Sequence, residues 1–397
     1  MFIYLVVFCL LFLISSLFSL FKKRLLNTII PLLLCVFIAI LFCSVKGDSV
    51  GPDTIVYHKF FDTISNNTWK QSFSTRMEIG FAIFTKLISS ISGSFIFYNI
   101  VFYSFVWGGL ALFAFTFSKK QPICFSLIFL FSLQFALTAY RQMLAVSMIA
   151  IAMSLFKLFE GKIISYILFF SFFVIGFSFH TSTIACAIIP ICYIIAKRIR
   201  INIYFCCGLF LAFIFGSRCI YYLIAETTST VYAPFTRNSI PFTSIMALSV
   251  FLIGYLLNYS SFCQTIIERP QLEQKRRGIL PKIQCFCSQS YVFINNKLLI
   301  QKDCSAKDVY LKTSALLSLV AACIMSFSLI TTIITRIYVF FEAPLALVII
   351  NTISNRENKV IRAIGYLCVT FLSISYFYIS LVRSGYLPFY VPYETIF

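Results

Sequence analysis

The fold is decided by residues 121–156, which read QPICFSLIFLFSLQFALTAYRQMLAVSMIAIAMSLF and lie between Lys120 and Lys157. As one helix this segment would be roughly 54 Å long, whereas the apolar core of a membrane is about 30 Å thick. Both of its ends are basic, and basic residues collect on the cytoplasmic side of a membrane. The segment is therefore predicted to cross the membrane, turn near Tyr140 and Arg141, and return.

The next apolar segment follows the same pattern. Residues 163–196 lie between Lys162 and Lys197, and their turn is predicted near His180. Neither turn contains Gly or Pro. Both turns are therefore predicted to be tight and partly shielded from water.

The composition extends this interpretation to the whole chain. The protein has 397 residues, of which 60% are hydrophobic and 11% are charged, whereas soluble globular proteins have about 25% charged residues. This composition excludes a soluble enzyme and a disordered chain. Because a span needs about 20 apolar residues, we predict an all-α polytopic integral membrane protein, a single transmembrane domain over 1–397 with about twelve transmembrane helices. The predicted spans are about 1–21, 25–45, 95–117, 122–140, 142–159, 163–179, 181–196, 201–224, 242–260, 313–334, 337–353 and 361–381.

The basic residues predict the orientation of these spans. Most of the 32 Lys and Arg residues follow odd-numbered spans, which places them on one side, the cytoplasmic side. The apolar stretch 79–92 is too short to cross. This pattern predicts an outer loop at 46–78, a cytoplasmic loop at 261–312 and both termini outside. Topology thus accounts for the net charge of +19, and no nucleic acid partner is predicted.

The cysteines do not indicate a metal or disulfide protein. Most of the 15 cysteines lie within apolar runs, where Cys behaves as a small hydrophobic residue. The close pairs lack the spacing of a zinc site. The sequence therefore predicts no disulfide framework, no metal site and no cofactor.

A few ionisable residues lie on the predicted outer side and are candidate functional residues. Arg141 and Arg336 lie at turns between spans, where a guanidinium can bind phosphate bidentately. Alternatively, each arginine anchors its helix at the membrane surface. His180 can act as a base or donate to a developing oxyanion near neutral pH, or it can be a structural histidine bonded to the hydroxyl residues that follow it.

Two outer carboxylates are candidate bases or partners for an arginine. The segment Gly51-Pro-Asp-Thr54 predicts a turn, with Tyr57 one helical turn after Asp53 if a helix follows. Glu78 opens the stretch 79–92, where its charge suits a helix N-terminus. The alternative is that each is a solvated loop charge. Deep within a span the sequence has one carboxylate, Glu342, which is either functional or hydrated near the outer end.

Six short motifs occur in one order along the chain and span most of it. They are Val50–Tyr57 (VGPDTIVY), Glu78–Phe81 (EIGF), Tyr140–Ala145 (YRQMLA), Phe179–Ser182 (FHTS), Arg336-x-Tyr338 and Val391–Tyr393 (VPY). With these motifs the chain resembles the EpsG-like family of exopolysaccharide and O-antigen polymerases, Wzy-like proteins of bacterial inner membranes. Each motif alone is weak, whereas six in order are fairly specific.

The resemblance implies a glycosyltransferase-type polymerase in the bacterial inner membrane. It would move a glycan block from undecaprenyl diphosphate to a lipid-linked repeat unit on the periplasmic face, so that 46–78 is a periplasmic loop. The implied partners are this undecaprenyl-diphosphate-linked oligosaccharide, membrane lipid and a chain-length regulator protein.

The chemistry that the resemblance implies fits the candidate residues. A diphosphate leaving group needs cations where its charge develops, and Arg141 and Arg336 are the candidates. The acceptor hydroxyl needs a base, for which His180, Asp53 and Glu78 remain open. The predicted substrate-binding residues are Tyr57, Gln142, Tyr338 and Arg237.

Two other functions stay open. One is a flippase or other secondary transporter of lipid-linked oligosaccharides, although such transporters usually contain internal repeats, which are not evident here. The other is a membrane O-acyltransferase, in which His180 would be the catalytic histidine.

Overall fold

The computed structural model describes residues 2–18, 25–75, 77–198, 202–227, 242–258, 306–326 and 333–384. In these ranges the chain is built from α-helices, with one π-helical turn at Leu25–Ile29 and 3-10 turns at Thr181–Ala187 and Val339–Phe341. The helices are α1 (Phe2–Phe18), α2 (Ile30–Ser44), α3 (Thr54–Asn66), α4 (Trp69–Phe73), α5 (Ile79–Ser89), α6 (Phe95–Phe117), α7 (Gln121–Thr138), α8 (Tyr140–Leu158), α9 (Ile163–Phe179), α10 (Ile188–Arg198), α11 (Ile203–Thr227), α12 (Phe242–Leu257), α13 (Ala306–Ser326), α14 (Ile333–Tyr338), α15 (Glu342–Ser354) and α16 (Lys359–Ser384).

The predicted all-α polytopic membrane fold is confirmed. In the described part of the chain, eight helices are long and apolar enough to cross a membrane. Four of the shorter apolar helices coincide with the remaining predicted spans, namely Ile3–Phe18, Ile163–Phe179, Ile203–Ser217 and Ser244–Leu257. Helix α13 begins at Ala306, before the predicted start of its span at residue 313. The rest of the predicted loop 261–312 lies outside the described residues.

Both predicted hairpin turns are where the sequence indicates them. Helix α7 ends at Thr138 and α8 begins at Tyr140, so that Ala139 alone separates them. Helix α9 ends at Phe179, and His180 adopts an extended conformation before the 3-10 turn that leads into α10. The two turns therefore bring Arg141 and His180 to helix ends, as predicted.

The helices pack closely at the centre of the bundle. An added Cβ at Gly109 of α6 would lie 2.2 Å from the Ser147 hydroxyl oxygen of α8, so only glycine permits this approach. Ser147 also donates to the Phe105 carbonyl at 2.6 Å. Small residues at such contacts are typical of membrane helices. Large apolar side chains such as Phe170, Val174 and Phe371 are exposed on the outside, as contact with lipid requires.

The segment 46–78 is largely helical and covers one end of the bundle together with α5. Helix α5 has 11 residues, roughly 16 Å of rise, which is too short to cross a membrane core of about 30 Å. Lys86 of α5 donates to the carbonyl oxygens of Ile64, Ser65 and Asn67 at the end of α3. These bonds satisfy carbonyls that the end of a helix leaves without an intrahelical partner. The side of the membrane on which this layer lies stays a prediction.

Candidate functional site

An ion pair between Arg141 and Glu78 is the centre of the candidate site. Arg141 Nη1 donates to Glu78 Oε2, and the charge of the arginine also acts on the Tyr57 hydroxyl. The side chains of Arg141 and Glu78 are 24% and 21% exposed, so the pair lies at the edge of the protein interior. Arg141 Nε is buried and has no hydrogen-bond partner among the described residues. The guanidinium therefore keeps an unused donor.

The local fold explains why Tyr57 reaches this pair. Helix α3 follows the predicted Gly51–Thr54 turn, and the Tyr57 N–H donates to the Asp53 carbonyl at 3.1 Å. The Tyr57 ring stacks on Tyr140 at 4.6 Å between centroids and meets Phe81 edge-on at 5.6 Å. Burial raises the pKa of Tyr57 and the nearby Arg141 opposes this shift. Tyr57 is therefore kept as a neutral phenol beside the guanidinium of Arg141.

His180 lies beside the same ion pair. Its Nδ1 accepts from the Ser182 backbone N–H at 3.1 Å and lies 2.6 Å from the Ser182 hydroxyl. Because Nδ1 accepts from an N–H, the neutral ring carries its proton on Nε2. Burial lowers the pKa of His180, and the charges of Arg141 and Arg336 lower it further, while Glu78 raises it. His180 is therefore held as a neutral imidazole with a donor at Nε2.

Arg336 approaches the site from α14. Its side chain is exposed, and its charge acts on both Tyr57 and His180. Gln142, at the start of α8, is 2% exposed and donates from Nε2 to the Arg336 carbonyl oxygen. Tyr338 is likewise 2% exposed, and its hydroxyl has no hydrogen-bond partner within the described ranges. Gln142 thus fixes the position of Arg336, and the predicted substrate contacts of Gln142 and Tyr338 stay predictions.

The remaining predicted residues lie at the edge of the site or away from it. Asp53 precedes α3, is half-buried and acts electrostatically on Tyr57. Arg237 lies outside the described residues. Glu342 is 1% exposed and accepts from the Ser132 hydroxyl at 2.8 Å. The alternative of a hydrated Glu342 near the outer end is therefore wrong.

The site thus combines cations with neutral donors. The structure brings Glu78, Arg141, His180 and Arg336 together with Tyr57 at one end of the bundle. In the described ranges, no three His, Cys, Asp or Glu side chains come together as metal ligands. Two guanidinium groups beside an imidazole N–H and a phenol suit an anionic oxygen ligand such as a phosphate.

A family model described as the EpsG family matches residues 29–395, nearly the whole chain. The chain belongs to the EpsG family. The predicted resemblance is thereby confirmed. Comparisons with curated proteins and with solved structures gave no match.

Membership of the EpsG family and the helices together define the protein at a coarse level. It is a multi-pass membrane protein of the polysaccharide-polymerase type. The roles of the individual site residues in this EpsG-family protein stay predictions.

One residue near this EpsG site was missed by the sequence analysis. Lys46 follows α2 and is 1% exposed, although lysine is almost never fully buried. The one signal in the sequence was its place, a single basic residue at the predicted outer end of a span. Its bonding partners are mainly backbone carbonyls, which a sequence pattern does not reveal.

Proposed function

We propose that this EpsG-family protein is a polysaccharide polymerase that moves a glycan block from undecaprenyl diphosphate to a lipid-linked repeat unit on the periplasmic face of the bacterial inner membrane. The observation that carries the proposal is the meeting of Arg141, Arg336 and His180 around the Glu78 pair. In this reaction an acceptor hydroxyl attacks the anomeric carbon of the donor glycan. The bond from that carbon to the diphosphate oxygen breaks, and the polyprenyl diphosphate leaves.

The arginines would stabilise the leaving group. Negative charge develops on the diphosphate as the glycosyl bond breaks, and preorganised cations stabilise charge where it develops. The side chain of Arg141 is 24% exposed and Arg336 is exposed, so a ligand can reach both, and both charges act on His180. A guanidinium presents two parallel donors to phosphate oxygens, which suits both residues to this role.

His180 fits a donor role better than a base role. Its Nδ1 is occupied by Ser182, so the nitrogen left for a substrate is Nε2, which carries the proton of the neutral ring. In the proposed reaction Nε2 donates to a diphosphate or sugar oxygen. A carboxylate, Asp53 or Glu78, then accepts the proton of the acceptor hydroxyl.

The glycans of a deletion strain test the proposal. A strain without a polymerase is expected to cap lipid A–core with one repeat unit, because export and ligation continue while extension stops. The wild-type gene supplied on a plasmid should restore the ladder of long chains.

Two other outcomes would contradict the proposal. A deletion strain with no capped core would indicate the flippase or transporter alternative. A strain with full-length chains that lack an acyl group would indicate the O-acyltransferase alternative. Gel electrophoresis with mass spectrometry of the glycan separates all three results.

A further inference from the structure

Lys46 lies in the interior where the loop before α3 meets the end of α7. Its Nζ donates to the Val50 carbonyl at 3.1 Å, to the Thr54 hydroxyl at 2.7 Å and to the Leu137 carbonyl. An ammonium group has three donors and no acceptor. All three protons of the charged form are therefore used, and a neutral amine would lose one of these bonds.

The loop and the helix end are in direct backbone contact beside this lysine. Gly51 has a φ of +90°, and an added Cβ would lie 2.3 Å from the Leu137 carbonyl oxygen. Leu137 belongs to the last turn of α7, whose carbonyls have no intrahelical partner and attract positive charge. Lys46 thus satisfies a helix end and a loop at the same time.

A short path leads from Lys46 to the candidate site. Thr54 opens α3, the helix that carries Tyr57. The Lys46 Nζ also lies 5.0 Å from the centre of the Tyr140 ring, on which Tyr57 stacks. The Tyr57 hydroxyl in turn lies close enough to Arg141 for the charge of the guanidinium to act on it. Lys46 therefore contacts α3 through Thr54 and α8 through Tyr140. The relative position of these two helices places Tyr57 beside Arg141.

We propose that Lys46 is a positioning residue, whose buried ammonium fixes the loop before α3 to the end of α7 and so holds Tyr57 against Tyr140 and Arg141. The inference rests on the proposed function only in the test that measures polymerisation activity. It goes beyond that function because Lys46 itself contacts no substrate. The site requires an ammonium group at position 46 in particular. Other buried lysines of the protein do not serve this role.

The charge of Lys46 is sensitive to pH. Burial lowers the pKa of Lys46 to about 7, and Cys43 of α2 and the loop carboxylates Asp48 and Asp53 oppose this shift. From α8 the Tyr140 ring faces the lysine, while α7 contributes the Leu137 carbonyl. The ammonium is therefore present below about pH 7 and is lost as the pH rises through that value, so the fixed geometry should be lost on the alkaline side.

A labelling experiment tests the positioning without any glycan assay. Val50 is fully buried, so Val50→Cys in a background without other cysteines should react slowly with a water-soluble maleimide in open membranes. Adding Lys46→Met should raise the labelling rate about tenfold or more, because a charged hydrogen bond is lost and the loop opens more often. An unchanged rate would overturn the proposal, whatever the glycan chemistry is.

Lys86→Met is the matched control. Lys86 is also a buried lysine that donates to three backbone carbonyls, but its bonds lie at the other end of α3. Its loss should leave labelling at Val50→Cys slow. Fast labelling in this control would mean that loss of either buried lysine loosens the layer, which would contradict a specific role for Lys46.

A pH profile of polymerisation gives a second readout that needs no disruptive substitution. In membrane vesicles supplied with lipid-linked repeat units, wild-type activity should fall as the pH rises from about 6.5 to about 8.5. Thr54→Val removes one acceptor of the ammonium and should move this fall to lower pH, whereas Lys86→Met should leave its midpoint in place. A midpoint that Thr54→Val does not move would overturn the proposal. Vesicles in which even the wild type forms no polymer would instead contradict the proposed function, while the labelling result would stand.

Discussion

The guanidinium of Arg141 is paired with the carboxylate of Glu78, a residue 63 positions earlier in the chain. The pair connects the first turn of α8 with the residue that precedes α5. It therefore joins the bundle to the helical layer that covers one of its ends. The carboxylate orients Arg141 while the arginine keeps its Nε donor unused by the described residues.

We expect substitutions of Glu78 and Arg141 to have coupled effects, because the two side chains form an ion pair. Glu78→Gln keeps the shape of the side chain but removes its charge, so the position of Arg141 is less defined and the polysaccharide ladder should shorten. Because the two residues act as a unit, the double variant Glu78→Gln/Arg141→Lys should be no worse than the more severe single variant. Chain length at matched protein level is the measurement. Glu357→Gln, an exposed carboxylate after α15, is the control, and simple addition of the two single losses would contradict a pair.

We expect the protein to lose folding stability in acid because of His180. Its pKa is lowered in the folded protein relative to its ordinary value of 6.5, so the contribution of the neutral ring is complete above about pH 6.5 and is lost as the pH falls through the folded pKa. Protonation of Nδ1 would also break the bond that it accepts from Ser182. His180→Asn should keep the bond from Ser182, because an amide oxygen also accepts at such a position, and should flatten the profile. Melting temperature against pH is the measurement; an acid loss that persists unchanged in His180→Asn would refute the assignment to His180.

We expect a side chain at Gly51 to destabilise the protein through a local steric clash. Gly51→Ala would place a side chain at a positive φ and against the Leu137 carbonyl oxygen. It should lower the stability of the protein by about 1–3 kcal/mol or more. Gly208→Ala in α11 is the control, because open space surrounds its added Cβ, and it should raise stability by up to about 1 kcal/mol. Thermal unfolding in detergent compares the two, and equal effects would contradict the close contact at Gly51.

The predicted orientation is tested by cysteine labelling of intact cells. In a background without native cysteines, Asn66→Cys at the end of α3 should react with a membrane-impermeant maleimide. Lys162→Cys, in the exposed connection between α8 and α9, should react only after permeabilisation. The opposite pattern would place the Arg141 site on the cytoplasmic side and would contradict a periplasmic reaction.

The spans and turns were predictable from the sequence because they depend on local composition. Apolar length fixes where a helix can cross, and the basic residues at Lys120 and Lys157 require a turn between them. That reasoning located Arg141 and, by the same logic, His180. Asp53 and Glu78 were selected for their local positions, the first in the Gly51–Thr54 turn and the second at the start of the short apolar stretch 79–92.

The contacts between these residues were not predictable in the same way. Nothing in the spacing of Glu78 and Arg141 along the chain shows that α5 packs beside the first turn of α8. Gln142 illustrates the same point, since its side chain donates to a backbone carbonyl of α14, a partner that the sequence does not indicate. Lys46 was overlooked because its role depends on the carbonyl at the end of α7, a group that every residue type carries.

The central claim is that Arg141 binds the diphosphate leaving group. The variant Arg141→Lys at matched protein level tests this claim most directly. Lysine can also anchor a helix at the membrane surface, but it lacks the planar pair of donors. Loss of one such donor costs about 10²–10³ in rate, so the account predicts that the ladder of long glycans collapses to short forms, while Arg198→Lys at the exposed end of α10 leaves it unchanged. A full-length ladder from Arg141→Lys would contradict the account.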